Sequence, residues 1–180
     1  YDTIAQVINN KPFKNRLNTV THFFLIQPYL SYVHKFNAKL SFNGGVFSQF
    51  LTLNNKFSVE PRASIKYQIK HNQVLNLAYG LHSQMQQTYL YFAIPDSVVK
   101  NNTLLPNTTR EEVNKNLDFT KSNHFVLGYD YFITQYLKLK TEVYYQYLWN
   151  VPVYEVKSSV SMLNRGATFN RFFPIYSMNN

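Results

Sequence analysis

The chain has 180 residues, enough for one domain with its own core, and a formal net charge of +9 from 18 Lys and Arg against 9 Asp and Glu. Charged residues make up only 15% while aromatics reach 17%, so Tyr, Asn, Gln and Ser replace the charges that cover an ordinary soluble domain. The basic residues are scattered singly, which excludes a polyanion-binding tract and any expectation of a nucleic-acid partner, and the lack of cysteine excludes disulfides, thiolate metal sites and cysteine nucleophiles.

No signal peptide opens the chain, which begins at Tyr1 without a methionine, and no apolar run reaches the ~18 residues of a membrane helix. It reads as cut from a longer polypeptide. From about residue 22 to about 150, apolar residues recur with a period of two rather than 3.6, the mark of strands whose faces differ.

Six such segments follow in order. "HFFLIQPYLSYVHKF" places Phe24, Ile26, Leu30 and Tyr32 on its more apolar face, with Pro28 predicting a local irregularity because it cannot donate to a ladder. "KLSFNGGVFSQFL" does the same with Leu40, Phe42, Val46 and Phe50, and its Gly44-Gly45 pair predicts a bulge or a close backbone approach.

"FSVEPRASIKYQIK" alternates cleanly: Phe57, Val59, Ala63, Ile65, Tyr67 and Ile69 against Ser58, Glu60, Arg62, Ser64, Lys66 and Gln68, with Pro61 on the apolar side. "QVLNLAYGLHSQMQ" sets Leu75, Leu77, Tyr79, Leu81 and Met85 against Asn76, Ala78, Gly80, His82 and Gln84. A long polar stretch from about 87 to 121 comes next, with Tyr89, Tyr91 and Phe92 read as a continuation of the strand before it.

"NHFVLGYDYF" sets Phe125, Leu127, Tyr129 and Tyr131 against His124, Val126, Gly128 and Asp130. "LKLKTEVYYQYL" sets Leu137, Leu139, Val143, Tyr145 and Tyr147 against Lys138, Lys140, Glu142, Tyr144 and Gln146. From 150 to 180 the chain reads as a second long loop without a further strand.

Short joints at 35–39, 70–73 and 132–136 alternate with the turn at 53–56 and the two long stretches, so the short joints fall at one end of the strands. Aromatics gather near that end at Tyr32, Phe36, Tyr67, Tyr131, Phe132 and Tyr136, as in an interfacial girdle. The fold class expected is all-β: an antiparallel meander of about six long strands forming an arc of a larger transmembrane β-barrel. Lipid forbids unpaired backbone, and single-chain barrels start at about eight strands, so six strands leave the barrel incomplete. An arginine or lysine facing lipid costs about 2 to 4 kcal/mol at midplane, so the charged face must line a watery lumen.

The phrases "SVEPRASIKYQI", "NLAYGLHSQMQQTYLYF", "LDFTKSNHFVLGYDYFI", "LKLKTEVYYQYLWNVPV" and "SSVSMLNRGATF", across roughly residues 20 to 170, resemble the barrel of TonB-dependent outer-membrane receptors of the Bacteroidetes type. The resemblance implies a barrel of about 22 strands in the outer membrane of a Gram-negative bacterium. It also implies a plug domain, which residues 1–180 do not contain, and energy delivered from the TonB complex through that plug. The long stretches 87–121 and 150–180 would then be extracellular. The implied function is uptake of a scarce ligand such as a siderophore, metal complex, glycan or peptide, with membrane lipid and the chain's own plug as partners.

Under this reading Glu60, Arg62 and Lys66 either contact the plug or an anionic ligand, or form a satisfied charge ladder on the wall. Lys138, Lys140 and Glu142 share that lumen face. His82 and His124 also fall on it, but without cysteine or an HxH or HExxH spacing no metal is expected. Tyr89 and Tyr91 either extend a strand or stack on a ligand. No carboxylate pair, Ser/His/Asp set or phosphate-binding loop stands out, so neither an enzyme nor a cofactor is expected. Two alternatives remain: a structural or adhesive outer-membrane barrel without transport, and a soluble lipocalin-like binder whose apolar face would be the covered one.

Overall fold

The computed structural model describes residues 17, 19–95, 97–101, 103–109, 111–154 and 176–179. The chain divides into two compact units: one of Phe23–Gln86, Asp118–Pro152 and Met178–Asn180, the other containing Gln87–Leu117. The first unit is a sheet of antiparallel strands β1 (Leu25–Ile26), β2 (Tyr29–Lys35), β3 (Leu40–Leu51), β4 (Lys56–Lys70) and β5 (Gln73–Gln84), continued after the second unit's residues. In that second unit lie a single helical turn, α1 (Thr88–Phe92), and the hairpin of β6 (Ser97–Lys100) and β7 (Thr103–Pro106). The sheet resumes with β8 (Thr120–Phe132) and β9 (Lys138–Trp149), and β10 (Val151–Tyr154) pairs with β11 (Tyr176–Asn179) in a ladder of its own.

The sheet runs in the order β1, β3, β4, β5, β8, β9, with β2 also on β3. This is the predicted all-β meander. β1 and β2 are one broken strand, because Ile26↔Phe50 and Tyr29↔Phe47 keep a single register across Pro28. The missing proline donor interrupts the ladder there, while its carbonyl still accepts from Ser48 N at 2.9 Å.

Register carries the period-two pattern across the whole sheet. Phe42 pairs with Ile65, Ile65 with Leu77, Leu77 with Leu127 and Leu127 with Val143, so one row on one face is apolar across five strands. On the opposite face the row Gly45, Arg62, Gly80, His124, Gln146 is polar or without a side chain. A slip of one residue at any ladder would put Arg62 or Glu142 among the leucines.

The apolar face is bare. Ile65, Leu77, Phe125, Leu127, Val143 and Tyr145 are all exposed, whereas Ser58, Glu60 and Ser122 on the other face are buried. Of the aromatics grouped near the short joints, Tyr32, Phe36, Tyr67, Phe132 and Tyr136 are exposed. Among the described residues β9 has a ladder partner only in β8, and β1 and β2 only in β3, so both edges of the sheet are open.

The short joints form as predicted, and two of them are held by a side chain that substitutes for a backbone acceptor. Asn37 Oδ1 accepts from Lys39 N and Leu40 N at 2.8 and 2.9 Å, and Thr134 Oγ1 accepts from Tyr136 N and Leu137 N at 3.2 and 3.1 Å. At the other end Asn55 takes a positive φ of 57° in the turn before β4, a conformation asparagine tolerates.

Gly45 resolves the alternatives left by its sequence in favour of close approach, since β3 pairs with both neighbours without a bulge there. A Cβ on Gly45 would lie 2.7 Å from the Leu30 carbonyl oxygen, a backbone atom that cannot swing away. Gly45→Ala is therefore expected to push β2 off β3 at a cost of about 1 to 3 kcal/mol. Hydrogen exchange checks this, with amides of β2 losing protection while those of β5 and β8 keep theirs.

Two expectations about the connections are corrected. Tyr89, Tyr91 and Phe92 do not prolong β5: they form α1, in which Leu90, Tyr91 and Phe92 are all buried. Three consecutive apolar residues can be covered together in a helical turn, whereas a strand would expose every second one. The 87–121 stretch also contains the β6–β7 hairpin, which turns at Asn101 with a φ of 49°; "VVKNNTLL" held that turn signal. The region from 150 onward has strands β10 and β11 rather than loop alone, and residues 155–175 lie outside those described.

Candidate functional site on the polar face

The polar face is organised around a gap between two strands. The β4–β5 register runs from Lys70↔Gln73 to Arg62↔Gly80 and stops, although β4 continues back to Lys56 and β5 on to Gln84. Pro61 stands where it stops, and proline has no N–H to extend a ladder. Beyond that point side chains take over. The Glu60 carboxylate accepts from Ser83 Oγ, from Gln49 Nε2 at 2.6 Å and from Arg62 Nη2 at 2.8 Å, while Gln49 Nε2 also donates to the Ser83 carbonyl at 2.8 Å.

Glu60 is 1% exposed and Gln49 5%, so a carboxylate sits in the sheet with three donors around it. A buried charge is tolerable only when paired and hydrogen-bonded. Gln49 and Arg62 come from neighbouring positions on the same face, while Ser83, of the other alternation on β5, reaches Glu60 beyond the end of the β4–β5 ladder. Gln27 Nε2 adds a bond to Gln49 Oε1 at 3.2 Å, extending the network to the broken first strand. Glu60 and Arg62 thus tie β3, β4 and β5 together where backbone pairing fails.

The remaining predicted residues separate into groups. Lys66 is exposed, with Ser41 and Asn76 as its cross-strand partners. His82 and His124 come together, their ring centres 4.6 Å apart and tilted by 57°, because His82 pairs with Ser122 and His124 with Gly80 in the β5–β8 ladder. On β9, Lys140 Nζ meets Glu142 Oε1 at 2.8 Å, while Lys138 Nζ reaches Asp130 Oδ2 at 3.0 Å and lies 5.0 Å from the Phe132 ring centre. These last are charge ladders of an edge strand, and such exposed pairs each contribute at most about 1 kcal/mol.

Tyr91 is completely buried and Tyr89 partly so, which leaves Tyr91 without a face to offer a ligand. Among the described residues no group of three or more His, Cys, Asp and Glu side chains is arranged to hold a metal.

One feature was not anticipated from the residue pattern. A hollow of about 290 Å³ opens over Gly45, bounded by Tyr29, Ser31, Phe47, Arg62 and Ser64 among others. The Tyr29 and Phe47 rings stack at 6.5 Å and 20°, and the Arg62 guanidinium lies 4.9 Å above Phe47. Small side chains at Ser31, Gly45, Ser64 and Ala78 create the space, and the Gly44-Gly45 pair was the signal in the sequence that could have located it.

No protein-family model, no curated protein and no solved structure matches this chain.

Proposed function

We propose that the sheet is part of the wall of a transmembrane β-barrel in a Gram-negative outer membrane, and that the barrel belongs to an uptake receptor of the TonB-dependent type. The observation that carries the membrane reading is the inversion of ordinary burial. Leucine, valine, phenylalanine and tyrosine are bare on one face, while the other buries a glutamate among hydrogen-bond donors.

An apolar face spread over this many strands is much larger than a soluble monomer leaves in water. In lipid it needs no cover. From Phe57 to Tyr67 on β4 the apolar face extends over eleven residues, about 33 Å of strand from first to last, which at a tilt near 45° spans roughly the 25 Å apolar band of outer-membrane barrels. The open edges at β9 and β2 require neighbours in lipid, since no backbone group can go unpaired there, so the wall continues into strands beyond the described sheet.

The receptor part of the reading rests on the family resemblance of the sequence and on a polar face with room beside it, the hollow over Gly45. A lipocalin-like arrangement would cover the leucines and wet Glu60, the reverse of the burial described. A photo-crosslinking residue placed at Asn76 or Lys66, in the full polypeptide and in intact cells, distinguishes receptor from inert barrel. Cross-links within the polypeptide to a globular domain filling the lumen support the receptor, and no cross-link from either position contradicts it.

A further inference from the structure

We infer that His82 and His124 form a binding site for a divalent transition-metal ion of the Cu(II) or Ni(II) kind, on the polar face where β5 meets β8. The inference does not depend on the sheet lying in a membrane. It starts from register: His82↔Ser122 and His124↔Gly80 make the two histidines diagonal neighbours on one face. Backbone pairing, rather than a choice of rotamers, brings them together.

Gly80 makes the approach possible. A Cβ there would lie 2.9 Å from His82 Nε2, so the imidazole occupies space that any other residue would fill. With each imidazole nitrogen ~2.0 Å from a metal and its ring centre roughly 1.1 Å further back, the ring-centre separation of 4.6 Å subtends an angle of about 95° at a shared ion, nearer a right angle than a tetrahedral one. Neighbouring ligands at a right angle fit square-planar or tetragonal Cu(II) and Ni(II) better than tetrahedral Zn(II). The 57° tilt between the rings is compatible with both turning a nitrogen to one point.

The surroundings suit a cation completed by water. Gln146 and Ser122, joined by a 3.0 Å hydrogen bond, border the pair with neutral oxygen atoms. The Arg62 guanidinium, whose positive charge opposes a cation at His82, is paired with Glu60 at 2.8 Å, which offsets that charge in part. Two imidazoles from neighbouring strands supply the protein ligands, and the remaining positions stay open for solvent or for a chelating molecule that brings its own donors.

The test is titration of the purified full chain with Cu(II) alone, followed by calorimetry and by electron paramagnetic resonance. One ion per chain is expected, with a spectrum showing two equatorial imidazole nitrogens. His82→Phe and His124→Phe keep an aromatic ring in place but remove a ligand. Each is expected to weaken binding by at least about tenfold, since loss of even an outer partner of a metal ligand typically costs that much, and the double variant should remove the two-nitrogen signal. Circular dichroism of the variants guards against unfolding as the cause. Binding that survives in the double variant would place the metal elsewhere and overturn the inference, as would a single-nitrogen spectrum or no binding.

Discussion

Replacing Val143 by arginine is expected to destabilise the sheet in a lipid bilayer by about 2 to 4 kcal/mol, while replacing its neighbour Tyr144 by arginine is expected to cost about 1 kcal/mol or less. The two residues are adjacent in mid-strand, both are more than 60% exposed, and they point to opposite faces. Exposure alone therefore predicts the same small effect for both. Under the proposed membrane placement only the medium differs: Val143 ends the apolar row that begins at Phe42, whereas Tyr144 lies on the face that carries Lys140 and Glu142. Urea titration of the full polypeptide folded into phospholipid vesicles measures both costs. Equal and small values would mean that both faces meet water.

A second large effect is expected at Glu60. Glu60→Ala removes the acceptor for Arg62, Gln49 and Ser83 at once, inside a site where Glu60 itself is 1% exposed. Breaking a buried pair by removing one partner typically costs about 3 to 5 kcal/mol, and the partial exposure of Arg62 places the expected cost toward the lower figure. Because this network replaces the ladder that ends at Arg62↔Gly80, the loss should be local as well as global. Hydrogen exchange should rise first in the halves of β4 and β5 near the 52–55 turn. Glu60→Gln, which keeps the acceptor oxygen, is expected to retain more than half of the lost stability.

Where the chain alternates strictly, its architecture was legible in its residues. The two faces of β4, β5, β8 and β9, the short joints and the break at Pro28 all follow from period-two hydrophobicity and from what proline and asparagine do to a backbone. The 87–117 region was not legible in this way. "TYLYF" alternates no better than it winds, and only the joint burial of Leu90, Tyr91 and Phe92 favours the helical turn.

The candidate site was readable residue by residue but not as a set of pairs. Glu60 and Arg62 are two positions apart on one strand, so their ion pair followed from the alternation. Gln49 and Ser83 joined them through register and through the interrupted ladder at Pro61, neither of which leaves a mark in a single strand's pattern. His82 and His124 are far apart in sequence, and only the β5–β8 pairing brings their rings to 4.6 Å. A motif of fixed spacing could not have found them.

The central claim is that the leucine and tyrosine face meets lipid and the Glu60 face meets water. Residues 1–180 contain no cysteine, so a single cysteine placed on β4 for spin-labelling meets no competing thiol within them. With the protein in vesicles, labels at Val59, Ile65, Tyr67 and Ile69 should collide with oxygen, which concentrates in lipid. Labels at Arg62, Ser64, Lys66 and Gln68 should collide instead with a water-soluble nickel chelate, giving a profile that alternates at every residue. Odd positions reached by the chelate as readily as even ones, or shielded from both reagents, would contradict the account.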